Sequence, residues 1–135
     1  MTPVSLKKVS RGDASSLQEM VKVYSDSIHE KINQQLTITF YDQMLETDIL
    51  SDLWFLLRTK IEGRLSQFSL SLKVPQAVVL VYALNHCIKT DNEYAILIIK
   101  KYMAAIDKDL KGRIIIKPGA NEGPLRLYAQ PPLLK

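Results

Sequence analysis

A change of hydrophobic period between residues 67 and 106 constrains the fold more than any other feature of the sequence. Apolar and polar residues alternate from Gln67 to Val74, which predicts a half-buried strand. Residues 77–84 are then apolar without interruption. After a polar joint at 89–93, a second stretch repeats its apolar residues every three or four positions. This pattern predicts a strand–helix–helix unit, with the alternative that residues 64–89 form only a helical connection within a bundle.

Two further helices are predicted before this unit. Apolar residues repeat at helical spacing over 13–35, and Ser16 followed by Glu19 has the form of a capping box, so the helix begins between residues 13 and 16. A second helix is predicted over 40–62, where apolar residues occupy nearly the whole circumference. Such a helix is typically buried on more than one side, either in a core or in an oligomer interface.

The boundaries of the last two helices follow from proline, cap and glycine positions. Pro75 suits the first turn of a third helix that extends to about residue 89. Asp91 or Asn92 is suited to cap a fourth helix over 93–110, which Gly112 is expected to end.

These elements predict a mainly α-helical protein with a single domain of about four helices. The helical domain is expected over 13–112, with a short extended segment near 67–73. A flexible N-terminal arm is expected over 1–12, and an extended or hairpin-like C-terminal tail over 113–135. The predicted core draws on the apolar face of every helix: Leu17, Val21, Tyr24, Ile28, Phe40, Leu45, Ile49, Leu53, Trp54, Leu57, Val78, Val81, Leu84, Ile98 and Tyr102.

Charge is divided unevenly along the chain. The 135 residues carry a net charge of +4, but residues 1–57 have a net charge of −3 and residues 58–135 have +7. A basic half raises the prospect of a polyanionic partner, although a solvated surface whose charges aid solubility is the favoured explanation. The single cysteine, the absence of a signal-like apolar run near the start and the lack of any stretch long enough to span a membrane predict a cytoplasmic protein.

The usual motifs of catalysis and metal binding are incomplete in this sequence. His29-Glu30 lacks the second histidine of a zinc-protease motif, because position 33 is asparagine. His86 and Cys87 are adjacent, and adjacent residues of a helix diverge too far to bind one ion alone. The acidic residues near 107 lack the later oxygen ligands of a calcium loop. We therefore expect no enzymatic activity, no metal and no cofactor.

The order of elements over 67–106 resembles that of ribbon-helix-helix DNA-binding proteins, in pattern and over less than a third of the chain. In that class, strands from two subunits pair and insert into the major groove, and their outward side chains contact base edges. The resemblance implies that the candidate DNA-contacting residues are Gln67, Ser69, Ser71 and Lys73.

Two main hypotheses about function follow, and a third is less favoured. The first is a non-catalytic helical interaction protein that self-associates or binds a protein partner, because the second and third helices are too apolar to be left exposed. The alternative is a DNA-binding regulator that uses residues 67–73. A third hypothesis, less favoured because we do not expect a small-molecule ligand, is a small-ligand protein with an apolar pocket between helices.

Overall fold

Four helices and a two-stranded antiparallel sheet make up the fold in the computed structural model, which describes residues 2–32 and 38–114. The elements follow in the order β1 (Val4–Ser10), α1 (Arg11–Ile32), α2 (Ile38–Ile61), β2 (Gln67–Leu72), α3 (Val74–His86) and α4 (Glu93–Ile114). The mainly helical single domain predicted from the sequence is therefore confirmed. Residues 115–135, which contain most of the predicted tail, lie outside the described residues.

The first strand is the largest departure from the sequence prediction. Residues 4–10 form β1 and pair antiparallel with β2, with Val4 opposite Leu72 and Ser10 opposite Gln67. The prediction of a flexible arm over 1–12 was wrong for these residues. They are held because the apolar side chains of β1 are buried beneath the sheet and its backbone groups pair with those of β2.

A β-bulge interrupts the pairing in the middle of the sheet. Between Leu6 and Val9, the residues Lys7 and Lys8 together oppose the single residue Ser69. Lys8 has a φ of 56°, in the left-handed region that residues with a side chain seldom adopt. The extra residue keeps Leu6 and Val9 buried while both lysines remain exposed.

The ends of α1 and α4 are set by hydrogen bonds that the sequence prediction did not include. Ser10 caps α1, because its Oγ accepts the backbone N–H of Asp13 at 3.0 Å, so the helix begins at Arg11, before the predicted start between residues 13 and 16. At the other end of the chain, α4 continues through Gly112 to residue 114. Arg113 pairs with Asp109 and donates to the carbonyl oxygens of residues 2 and 3, which holds the last turn in place.

The remaining boundaries agree with local chain chemistry. The backbone N–H of Lys73 donates to the Gln76 side chain at 2.9 Å where α3 begins, and Pro75 occupies the first turn. Asn92 caps α4, since its Oδ1 accepts the N–H of Ala95 at 3.1 Å. β2 is a strand with Phe68, Leu70 and Leu72 buried, as the alternation predicted.

The core lies between the helices and the inner side of the sheet. Eight of the predicted core residues are buried: Leu17, Val21, Ile28, Leu53, Leu57, Leu84, Ile98 and Tyr102. Tyr24, Ile49, Trp54 and Val81 are half-buried at its edge. Phe40 and Val78 are only partly covered, and Leu45 is 64% exposed, so its assignment to the core was wrong.

Candidate interaction surfaces

The outer side of the sheet is entirely polar. We call it the ribbon face, and it consists of the exposed residues Ser5, Lys7, Lys8, Gln67, Ser69 and Ser71 together with Lys73 just beyond β2. The structure thus places all four predicted DNA-contacting residues on one surface. It adds two lysines that the sequence analysis missed because the bulge breaks the alternation of β1.

The pairing of β2 differs from that of the ribbon-helix-helix class. The order β2, α3, α4 is present, but the strand that pairs with β2 is β1 of the same chain. A single copy therefore already contains a two-stranded ribbon. Each strand has six or seven residues, about 20 Å in length, and a two-stranded ribbon is narrow enough to enter the major groove of DNA.

The charge of the ribbon face is of one sign. It carries three lysines, and none of its seven residues is acidic. The serine and glutamine side chains of this face can each donate and accept hydrogen bonds. This surface is suited to contact phosphate oxygens and polar groups, and it offers no apolar side chain to a partner.

A buried carboxylate joins the start of α1 to α4. Asp13, in the first turn of α1, accepts hydrogen bonds from Tyr102 at 2.6 Å, Tyr94 at 2.8 Å and Lys101 at 3.2 Å. Burial alone would raise the pKa of the Asp13 carboxyl, but these hydrogen bonds outweigh burial and lower that pKa below its usual value. The network therefore joins α1 to α4 at the point where β1 ends.

A glycine allows this approach. A Cβ atom at Gly12 would lie 3.3 Å from the hydroxyl oxygen of Tyr94, which is tighter than most such contacts. Burial raises the pKa of Tyr102, and the hydrogen bond to Asp13 raises it further, so the Tyr102 hydroxyl stays protonated and donates to the carboxylate at neutral pH. The cluster holds α1 and α4 together, and its polar groups form hydrogen bonds with one another.

The outer side of α2 has the opposite character. We call it the α2 face, and its residues are Tyr41, Met44, Leu45, Asp48, Asp52 and Phe55. At 100° per residue these six lie within an arc of about 100° and extend over about 21 Å of helix. The four apolar side chains are 71%, 49%, 64% and 62% exposed in chain order. The sequence predicted burial on more than one side of α2, and within the described residues this side is uncovered.

The α2 face is also acidic. From residue 38 to residue 57 the chain holds four acidic residues and no basic residue. Glu46 accepts a hydrogen bond from Tyr24. None of the salt bridges found among the described residues includes Asp48 or Asp52, and both are exposed. Their charges therefore face solvent beside the apolar side chains.

A cleft of about 460 Å³ lies between α1 and the loop that joins α3 to α4. It contains Cys87, whose pKa is raised first by burial and further by the nearby Glu19 carboxylate. A raised pKa keeps the thiol protonated at neutral pH, which is the reverse of an activated nucleophile. Across residues 2–32 and 38–114, no three histidine, cysteine or acidic side chains group in a way that could hold a metal ion.

Comparisons with known proteins returned no match: no protein family, no curated protein and no solved structure is similar to this chain at a significant level. Within the part of the chain that the structure describes, no helix has the length and hydropathy needed to cross a membrane.

Proposed function

We propose that this chain is a non-catalytic interaction protein that binds a partner protein through the α2 face. The observation that supports the proposal is the exposure of four large apolar side chains along about four turns of one helix. Apolar residues scattered singly over a surface are ordinary, whereas an aligned set bordered by charged residues is typical of a protein interface. Aromatic residues and methionine, which are enriched in interfaces, account for three of the four.

A partner protein is favoured over a second copy of this chain. In an antiparallel pairing of two α2 helices that cross at residue 50, Asp48 of each copy would lie opposite Asp52 of the other copy. In a parallel pairing, each aspartate would lie opposite itself. Like charges in contact across an interface oppose association, so both symmetric arrangements are disfavoured.

Photo-crosslinking in cells that express the full chain tests this proposal. A photoreactive side chain replaces Leu45 or Phe55, and a control chain carries it at Glu30, which is exposed on α1. We expect one discrete crosslinked product from positions 45 and 55 that the control lacks. Adding Met44→Asp should remove the product while the circular dichroism spectrum remains unchanged. A product with twice the mass of the chain would identify a second copy and contradict the proposal.

A second candidate function, DNA binding by the ribbon face, is favoured by one specific observation. Lys8 adopts a left-handed backbone conformation, and the bulge it forms exposes two consecutive lysines on the same side of the sheet. Such conformations typically cost about 1–3 kcal/mol and concentrate at functional sites. Bulges are also common where a side chain is redirected toward a binding site.

The DNA-binding candidate is tested by its salt dependence. If three lysines each neutralise one phosphate, the affinity for mixed duplex DNA should fall about 40-fold between roughly 50 and 200 mM salt. Changing Lys7, Lys8 and Lys73 to glutamine should remove this binding. The same change at the exposed residues Lys89, Lys100 and Lys108 provides a control of equal charge. Equal losses from both sets, or no binding at low salt, would exclude the ribbon face as a DNA site.

A further inference from the structure

We infer that the α2 face binds a basic amphipathic helix of a partner protein, with two cationic side chains of that helix next to Asp48 and Asp52. The inference rests on the proposed function and names the chemistry of the partner. Its starting point is the pattern of the face, in which apolar side chains lie at both ends and carboxylates lie between them.

The spacing of the apolar residues favours a helical partner. Tyr41, Met44 and Leu45 form one apolar group, and Phe55 lies about 15 Å further along α2, three turns later. A helix that packs along α2 presents apolar side chains at three- and four-residue intervals on one face, which matches this straight and narrow surface. An extended strand would instead require unpaired backbone groups, and a helix surface provides none.

The charges favour a basic partner. Asp48 and Asp52 are one helical turn apart, so they present two negative charges about 6 Å from each other on the same side of α2. A partner helix with two arginines or lysines one turn apart neutralises both charges. Removing this like-charge repulsion within α2 adds to the attraction across the interface.

The same charges argue against a membrane surface as the occupant. Cytoplasmic leaflets carry negative charge, and helices that lie on them are rich in lysine and arginine on the polar side. The first twenty residues of α2, residues 38–57, hold no basic residue at all. An anionic lipid surface would therefore repel this face.

The test uses three labelled peptides of about 18 residues that form the same leucine-faced helix. One carries two arginines four residues apart at the border of the apolar face, one carries glutamines there, and one carries glutamates. Binding to the full chain is measured by fluorescence anisotropy at low salt. We expect the arginine peptide to bind at least tenfold more tightly than the glutamine peptide, and the glutamate peptide to bind least.

Two double variants locate the site. Asp48→Asn with Asp52→Asn should weaken binding of the arginine peptide about tenfold and leave the glutamine peptide unchanged. Glu30→Gln with Asp91→Asn removes the same charge from exposed positions elsewhere and should change neither affinity by more than about twofold. Equal losses from the two double variants would overturn the inference, because the attraction would then depend on net charge alone.

Three other outcomes would also overturn the inference. Equal binding of the arginine and glutamine peptides would show that the face does not select a basic partner, although the proposed interface itself would stand. Tighter peptide binding after Lys117→Glu with Arg126→Glu would show that the chain's own C-terminal residues occupy the face. Failure of every peptide, together with a discrete partner product crosslinked from positions 45 and 55, would refute the basic helix and leave the proposed function intact.

Discussion

The ribbon face and the α2 face are both outer sides of elements whose inner sides form the core, yet they differ in polarity and in the sign of their charge. The ribbon face is polar and carries three lysines, whereas the α2 face exposes four large apolar side chains and two aspartates. The sheet therefore follows the ordinary division between a buried and a solvated side. Helix α2 does not, and this difference is why we propose α2 as the site of a protein interface.

The largest expected effect comes from a matched pair of leucines on α2. Leu53 is fully buried and Leu45 is 64% exposed, so replacing each with alanine compares the inner and outer sides of one helix. We expect Leu53→Ala to lower the free energy of unfolding by about 2–5 kcal/mol because it leaves a cavity. Leu45→Ala should change that free energy by less than about 0.5 kcal/mol in urea titrations. A large loss at Leu45 would mean that the α2 face is covered within the chain.

The next effect concerns the buried carboxylate at the end of the ribbon. Asp13→Asn should lower the free energy of unfolding by about 1–3 kcal/mol, because charge-assisted hydrogen bonds are lost and a buried tyrosine hydroxyl is left poorly paired. Asp52 takes part in no salt bridge found among the described residues, so Asp52→Asn is the matched control and should change the free energy of unfolding by less than about 0.5 kcal/mol.

The contribution of Asp13 depends on pH in a direction fixed by its lowered pKa. A group whose pKa is lower in the folded state stabilises the fold above its unfolded pKa, and that stability is lost as the pH falls through the folded pKa. The stability difference between the wild type and Asp13→Asn should therefore be complete at neutral pH and shrink below about pH 4. A difference that grows on acidification would contradict the network.

A smaller effect tests the bulge of the ribbon. Lys8→Gly should leave the free energy of unfolding unchanged or raise it by up to about 1 kcal/mol, since glycine adopts the left-handed conformation without strain. Lys7→Gly removes the same charge from a residue that lacks this conformation, and it should lower the free energy by about 0.5–1 kcal/mol. Thermal denaturation of the two variants would separate backbone strain from charge. Equal decreases in the free energy of unfolding would contradict a strained backbone conformation at Lys8.

The smallest effect is on the acidic pair of the α2 face. Asp48→Asn should raise the free energy of unfolding by about 0.2–0.5 kcal/mol, because like charges four residues apart on a helix repel each other. Asp26→Asn is a useful contrast, since Asp26 pairs with Lys22 at 3.0 Å and its loss should destabilise by a similar amount. Chemical denaturation at low salt gives the best resolution for both variants.

The sequence predicted the elements with regular periods and missed those shaped by distant contacts. β2 was found because its alternation is unbroken, whereas β1 was missed because two lysines occupy its bulge. The extent of α4 depends on Arg113 contacts with residues 2 and 3, which are more than a hundred positions away in the chain.

The candidate sites were predictable to different degrees for the same reason. Gln67, Ser69 and Ser71 could be placed on one surface from alternation alone. The α2 face could not be placed, because apolar residues surround this helix and its sequence does not specify which side faces outward. Only the packing of the neighbouring helices against residues such as Leu50 and Leu53 distinguishes the two sides.

Backbone amide chemical shifts of the full chain, recorded by NMR during titration with the arginine peptide, test whether the α2 face is the protein-binding surface. We expect the perturbed amides to cluster at residues 41–55 and the amides of the two strands, 4–10 and 67–72, to keep their chemical shifts. Perturbations centred on the strands, or none at saturating peptide, would contradict the assignment of the α2 face as the protein-binding surface.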